Sequence, residues 1–329
     1  MTFKPTPIFV LLGVALFVLI GASLVCGAAP LPWRAAMLGL FGGSDANAVV
    51  VQEIRLPRTA LAVLIGAGLG AAGAALQSLL RNPLAEPGVI GISASSALGA
   101  VLVYYSGFAT THALALPLGG LAGGLCATLL LYGLAAHRLG TAGLILAGVA
   151  LNSLAGALTA LTLSLVPNPY AAYEIFFWLM GSLADRSAVH VWLCAPFILV
   201  GLTLLLHCAP RLDVMVLGEE TAESLGVNVR RLRQRLVLGV ALAVGPGVAV
   251  AGAIGFVGLL VPHVLRPWLS SRPTFLVPAS ALGGAVLTLA ADLLVRSWLI
   301  NGELKLGVIT ALLGAPLFLL LALRAAHPE

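Results

Sequence analysis

Charge is what this 329-residue chain has least of. Only 9% of its residues are Asp, Glu, Lys or Arg, 60% are hydrophobic, and the mean hydropathy is +1.08. A soluble domain carries about 25% charged residues, so the composition excludes an ordinary water-soluble fold and leaves a protein that crosses a bilayer many times. Lysine is nearly missing: Lys4 and Lys305 do not follow a glycine. No Gly-Lys-Ser/Thr loop is available to cradle a nucleotide phosphate, so the chain holds no ATPase site of that class. Buried acids are as scarce. Asp292 is the one carboxylate well inside an apolar run, and Arg296 lies four residues on, the spacing of an intrahelical ion pair. Paired carboxylates, a Ser/His pair or metal-spaced ligands are not found within the apolar runs, so no catalytic residue, metal site or bound cofactor is expected. The four cysteines (Cys26, Cys126, Cys194 and Cys208) form no C-x-x-C pair and read as small core residues. Proton- or sodium-coupled transporters bury ionisable groups at the midplane. With so few here, driving energy is expected from another chain.

What is present is length and apolarity. Spans of roughly 20 apolar residues fall at about 8–29, 59–80, 88–107, 114–136, 142–166, 189–208, 236–252, 274–299 and 306–323. Lys4 and the first run look like the start of a signal peptide, but Val25 precedes Cys26 where a lipoprotein cleavage site wants a small residue, so 8–29 is read as a span. The run 236–265 is too long for one helix. Read as a hairpin, it keeps Arg266 and Arg272 on the face of Arg324, and Gly245-Pro246-Gly247, Gly252, Gly255 and Pro262 favour a turn or broken helix there. The fold class is therefore all-α, a single polytopic membrane domain over 1–329 with ten spans and both termini cytoplasmic. Eleven of the 17 basic residues (Lys4, Arg81, Arg138, Arg211, Arg230, Arg231, Arg233, Arg235, Arg266, Arg272 and Arg324) then share the cytoplasmic face. The positive-inside bias explains the +5 net charge without nucleic acid.

The long polar island at 209–235 organises this topology. Within it, 217–226 reads as a short helix with Glu219, Glu220 and Glu223 near its positive end and Gly226 as its stop. Two turns are marginal alone, so it docks on something; the spacing by itself fits a solvated connecting loop equally well. On the opposite face lie 30–58, 300–305 and the aromatic stretch 167–187, read as an interfacial helix or an aromatic belt. Glycine is abundant at 38 residues, and Gly66/Gly70, Gly119/Gly123 and Gly120/Gly124 have the spacing that lets helices approach closely. The pattern Gly66-x-Gly68-x4-Gly73 recurs at Gly245, Gly247 and Gly252, a faint sign of inverted repeats.

Arg55-Leu-Pro-Arg58, the stretch 66–100, LGEETAESLGV (217–227), GFVGLLVPHVLR (255–266) and LGVITALLGAPLF (306–318) resemble, in this order and over the whole chain, the iron-chelate and cobalamin uptake permeases of bacterial ABC importers. The resemblance implies a type II importer permease fold in the bacterial inner membrane. It implies as partners a second copy of the chain, a cytoplasmic ABC ATPase dimer holding ATP and Mg, and a periplasmic substrate-binding protein. It implies that Leu217, Gly218, Glu219, Glu220, Glu223, Leu225 and Gly226 form the ATPase-coupling helix. Arg55, Arg58 and Arg296 would receive carboxylates of the binding protein, and Asn82, Leu84 and Thr141 would form the cytoplasmic gate. The segment 170–187 is most similar to the heme permeases, which makes heme the expected cargo ahead of a ferric siderophore or cobalamin. An intramembrane enzyme or stand-alone channel is the reading of a different class.

Overall fold

The computed structural model describes residues 5–27, 31–43, 45–112, 114–136, 141–166, 168–269, 271–297 and 304–326. Every regular element among them is helical: α1 (Thr6–Val25), α2 (Trp33–Leu40), α3 (Ala46–Val49), α4 (Leu56–Leu79), α5 (Ile92–Tyr105), α6 (Phe108–Thr111), α7 (Ala115–Ala136), α8 (Thr141–Leu165), α9 (Pro169–Leu179), α10 (Ala188–Met215), α11 (Glu219–Ser224), α12 (Val229–Ala251), α13 (Val257–Leu265), α14 (Pro273–Ser297) and α15 (Leu306–Ala326). A π-helical stretch, Val50–Arg55, joins α3 to α4, and short 3-10 turns precede α5 and follow α13. Among the described residues, seven helices are long and apolar enough to cross a membrane. With α5, α13 and α15 they account for the ten expected spans, but α13 has nine residues and is only half a span.

The helix α4 is the axis of the bundle. Its glycines let neighbouring backbones touch it: Gly66 and Gly70 face Gly284 and Ser280 of α14, Gly68 faces Ala243 of α12, and Gly73 faces Gly258 of α13. A Cβ at any of these positions would collide with a main-chain carbonyl. In lipid, helices gain little from hiding apolar surface from one another, so such dispersion contacts hold the bundle. The predicted pair Gly119/Gly123 does the same for α7, against Gly99 and Ser95 of α5.

The run 236–265 folds back as expected, but not at Gly245-Pro246-Gly247. There α12 continues through Pro246, with Ile92 and Ile65 packed on its glycines and Ser96 Oγ donating to the Gly245 carbonyl at 3.2 Å. The break comes at Gly252 (φ +75) and ends at Phe256 (φ +66). The end of α12 meets Ser182, whose N–H donates to Ala251 O at 2.7 Å, while α13 returns along α4. Gln77 Nε2 donates there to the carbonyls of Gly258 (3.4 Å) and Leu259 (3.3 Å), and Arg266 Nη2 donates to Gln77 Oε1 at 2.7 Å.

Two readings need correction. The polar island is mostly helix, since α10 extends to Met215 and α12 begins at Val229. Only 216–228, which contains α11, connects them. The cysteines are not uniformly core: Cys194 and Cys208 are buried, whereas Cys26 and Cys126 are exposed.

Gly70→Leu is expected to destabilise the bundle by about 3 kcal/mol or more through overpacking against α14. Gly13→Leu, where an added Cβ meets nothing within 4 Å, is the control. Thermal unfolding in detergent micelles checks this, and equal melting temperatures for the two variants would contradict the role of α4.

Candidate coupling, gate and rim sites

The first site is the connection between α10 and α12. Gly218 (φ +113) turns the chain into α11, and Gly226 (φ +86) stops it. The stop is a Schellman motif: Val227 N–H donates to Ala222 O and Gly226 N–H to Glu223 O, both at 2.9 Å, so a left-handed residue is needed at Gly226. The helix is six residues, shorter than the predicted 217–226, with Leu217, Gly218, Leu225 and Gly226 flanking it. Ala222 is buried in the main core and Glu219 pairs with Arg233 of α12, while Arg81 approaches Gly218. These ties leave Leu217, Glu220, Glu223 and Leu225 exposed. The result is a short stiff element with two leucines and two acids facing outward.

Beside it lies the turn after α4. Asn82 N–H donates to Gln77 O (3.1 Å), Ala85 N–H to Asn82 O (3.1 Å), and Leu84 N–H to Asn82 Oδ1 (2.9 Å). The asparagine side chain thus shapes a turn that presents Leu84 with 51% of its surface exposed. Thr141 opens α8, and its side chain lies outside the described residues.

The third site is at the opposite end of α4. Asp292 of α14 is 0% exposed. Arg58 Nε and Nη2 each donate to its Oδ1 at 2.9 Å, and Arg296 binds its Oδ2 through Nε (2.7 Å) and Nη2. Arg296 also donates to Ser23 O and Oγ at 3.0 Å, and Ser23 Oγ shares a 2.6 Å hydrogen bond with Thr59 Oγ1. Arg55 is only 4% exposed and donates to the carbonyls of Leu24 (2.8 Å) and Val25 at the end of α1. A guanidinium there satisfies orphan carbonyls and complements the negative end of the helix dipole. The three arginines expected to receive an outside partner are therefore brought together, but Arg55 is turned inward. The sequence pairing of Asp292 with Arg296 is present, and Arg58 is added to it from 234 residues away.

Also near this end, Asn168 Oδ1 caps α9 by accepting from Tyr170 N–H at 3.0 Å. Tyr170, Tyr173 and Phe176 are exposed, and Lys305 Nζ lies 5.9 Å from the Phe177 ring centroid. Arg186 Nε donates to Val250 O at 2.7 Å, tying this loop to the end of α12. Burial lowers the Arg186 guanidinium from its ordinary pKa, and neighbouring Asp185 opposes that shift.

Sequence reasoning missed three polar tethers. Asp213 of α10 caps α14, accepting from Thr274 N–H at 2.9 Å and Oγ1 at 2.6 Å. Gln77 holds α13, and its amide inside an apolar span was the available signal. Glu86 accepts from Phe256 N–H at 2.6 Å, and nothing local to Glu86 announces this.

The model of the FecCD transport family matches residues 15–324. The chain belongs to the FecCD transport family. Three bacterial permease proteins illustrate its place in the FecCD transport family. The Fe(3+)-citrate import system permease YfmE of Bacillus subtilis is 39% identical over 97% of this chain and 95% of its own. The vitamin B12 import permease BtuC of Vibrio cholerae is 43% identical over 84% of this chain and 83% of its own. The hemin transport permease HmuU of Yersinia pestis is 39% identical over 85% of each chain. A solved metal-chelate type ABC transporter in an inward-facing conformation superimposes with a TM-score of 0.86 at 31% identity, over 98% of this chain and all of that one. This FecCD protein thus has the ABC importer permease fold expected from its motifs.

Asp292→Ala leaves Arg58 and Arg296, both largely shielded from solvent, without a counter-charge and is expected to cost about 3 kcal/mol. Denaturation in micelles reads it, and a loss under about 1 kcal/mol, the scale of an exposed pair, would show the cluster to be solvated.

Proposed function

We propose that this FecCD permease is the membrane subunit of an ATP-driven importer in the bacterial inner membrane. It works as a homodimer with both termini cytoplasmic, driven by a separate ABC ATPase dimer that holds ATP and Mg, and it is fed by a periplasmic substrate-binding protein. The observation that carries this reading is α11: a stiff six-residue plug, braced by Ala222 and Glu219–Arg233, presenting Leu217, Leu225, Glu220 and Glu223 at the arginine-rich end of a chain without a phosphate-binding loop. Such an element transmits force from a neighbouring chain, whereas a stand-alone channel or intramembrane enzyme has no use for it. Asn82 and Leu84, with Thr141, are assigned to the gate at that end.

At the other end Arg58 and Arg296 share one carboxylate while Arg55 binds the carbonyls at the end of α1, an excess of two positive charges over the three arginines. That excess suits an acidic partner, since rim charges steer and orient docking more than they add affinity. Arg58 and Arg296 are assigned the contact, exchanging part of their hold on Asp292 for carboxylates of the binding protein. Arg55 is assigned to the same rim, held on the carbonyls at the end of α1.

The cargo we favour is heme. Exposed Tyr170, Tyr173 and Phe176 on α9 suit a flat, largely apolar macrocycle at the entrance. A ferric siderophore or cobalamin is the second reading, supported by the ferric-citrate and B12 relatives at equal or higher identity.

Uptake into liposomes containing the permease, its ATPase and its binding protein, with heme, a ferric siderophore and cobalamin offered in parallel, tests the reading. ATP-dependent accumulation of heme alone is expected. Accumulation of another chelate replaces the cargo and keeps the importer, while no uptake with an ATPase that fails to co-purify overturns both. Gly226→Arg, bulky at a left-handed position, is expected to lower uptake about tenfold or more, whereas Gly226→Asn, which tolerates that conformation, retains most of it. Equal uptake by the two variants would remove α11 from the coupling role.

A further inference from the structure

The break between α12 and α13 leaves the first amides of α13 without intrahelical acceptors, and backbone at membrane depth finds no water to satisfy them. Phe256 occupies the N-cap position of α13 in the left-handed conformation. Its N–H donates to Glu86 Oε1 at 2.6 Å, across 170 residues of sequence. The contact is half-buried, and Gly73 and Gln77 of α4 meet the first turn of α13 beside it.

Glu86 follows Asn82 by four residues and Leu84 by two. Next to it, Pro87 packs on Gly258 in the first turn of α13. On its far side Phe256 lies against Gly314 of α15. A carboxylate suits this place for two reasons: it only accepts hydrogen bonds, and its charge is favourable at a helix N-terminus. With Pro83 and Pro87 stiffening the turn, a displacement of α13 is carried to Leu84 with little slack.

We propose that Glu86 is the positioning residue that locks the turn bearing Asn82 and Leu84 to the half-helix α13, so that gate and half-helix shift as one body. Its consequence for transport rests on the importer reading above; the lock itself does not. A residue that merely capped α13 would protect that helix and leave the turn indifferent to its loss.

Hydrogen–deuterium exchange of the full chain in lipid nanodiscs separates these cases. In Glu86→Ala, exchange is expected to quicken about tenfold in both 82–88 and 253–261, because a charge-assisted hydrogen bond is lost. Glu86→Gln, which keeps an acceptor, is expected to restore most of the protection in both segments. Faster exchange in 253–261 alone, or unchanged exchange in both, overturns the lock. In liposomes where the wild-type complex transports, Glu86→Ala is expected to lower substrate moved per ATP hydrolysed about tenfold, the effect of one such bond on an opening equilibrium. An unchanged ratio overturns the transport role. A wild-type complex that moves no substrate sinks the importer reading instead, and the exchange result still decides the lock.

Discussion

Backbone-to-backbone contact along α4 is the constraint on which the other elements depend. A helix surrounded by protein in a bilayer gains little from burying apolar surface, so neighbours must come close enough for main-chain atoms to touch. Four glycines on α4 permit this toward α14, α12 and α13. Because each contact is specific in height along the axis, α4 sets the register of three partners at once. It also sets where the chain is able to break: α13 starts where Gly73 and Gln77 receive it.

Polar groups then fix the two ends of this rigid centre. At one end Asp292 gathers Arg58, Arg296 and Ser23, binding α1, α4 and α14. At the other, Asp213 caps α14, Arg266 meets Gln77, and Glu219 meets Arg233. The helix α14 therefore connects the Asp292 tether near its C-terminal end to the Asp213 tether at its start, beside α11. In the importer reading, this gives an event at the coupling helix and an event at the rim a common rigid element, which any exchange of information between two sites needs.

The same tethers explain why a chain so poor in charge still uses its charges sparingly at depth. Asp292 is neutralised twice, and the helix end at Phe256 is satisfied by an acid from a distant loop. Along α8, by contrast, Thr159, Thr162 and Ser164 turn their hydroxyls back onto their own helix carbonyls.

Composition and periodicity determined the class of this protein, its apolar spans, the return of 236–265, and a short helix stopped at Gly226, because each follows from local hydropathy or local backbone geometry. The sequence spacing of Asp292 and Arg296 likewise announced an ion pair. Only the tertiary structure decided that Arg58 completes this pair, that Arg55 faces inward, that α12 runs through Pro246 to Gly252, and that Glu86 and Asp213 cap helices belonging to other parts of the chain. Those features join residues 30 or more positions apart, and an apolar sequence carries no local record of which neighbour will lie against which face. The energy that selects among such pairings comes from close packing and from satisfying buried polar groups. Both exist only once the helices have met.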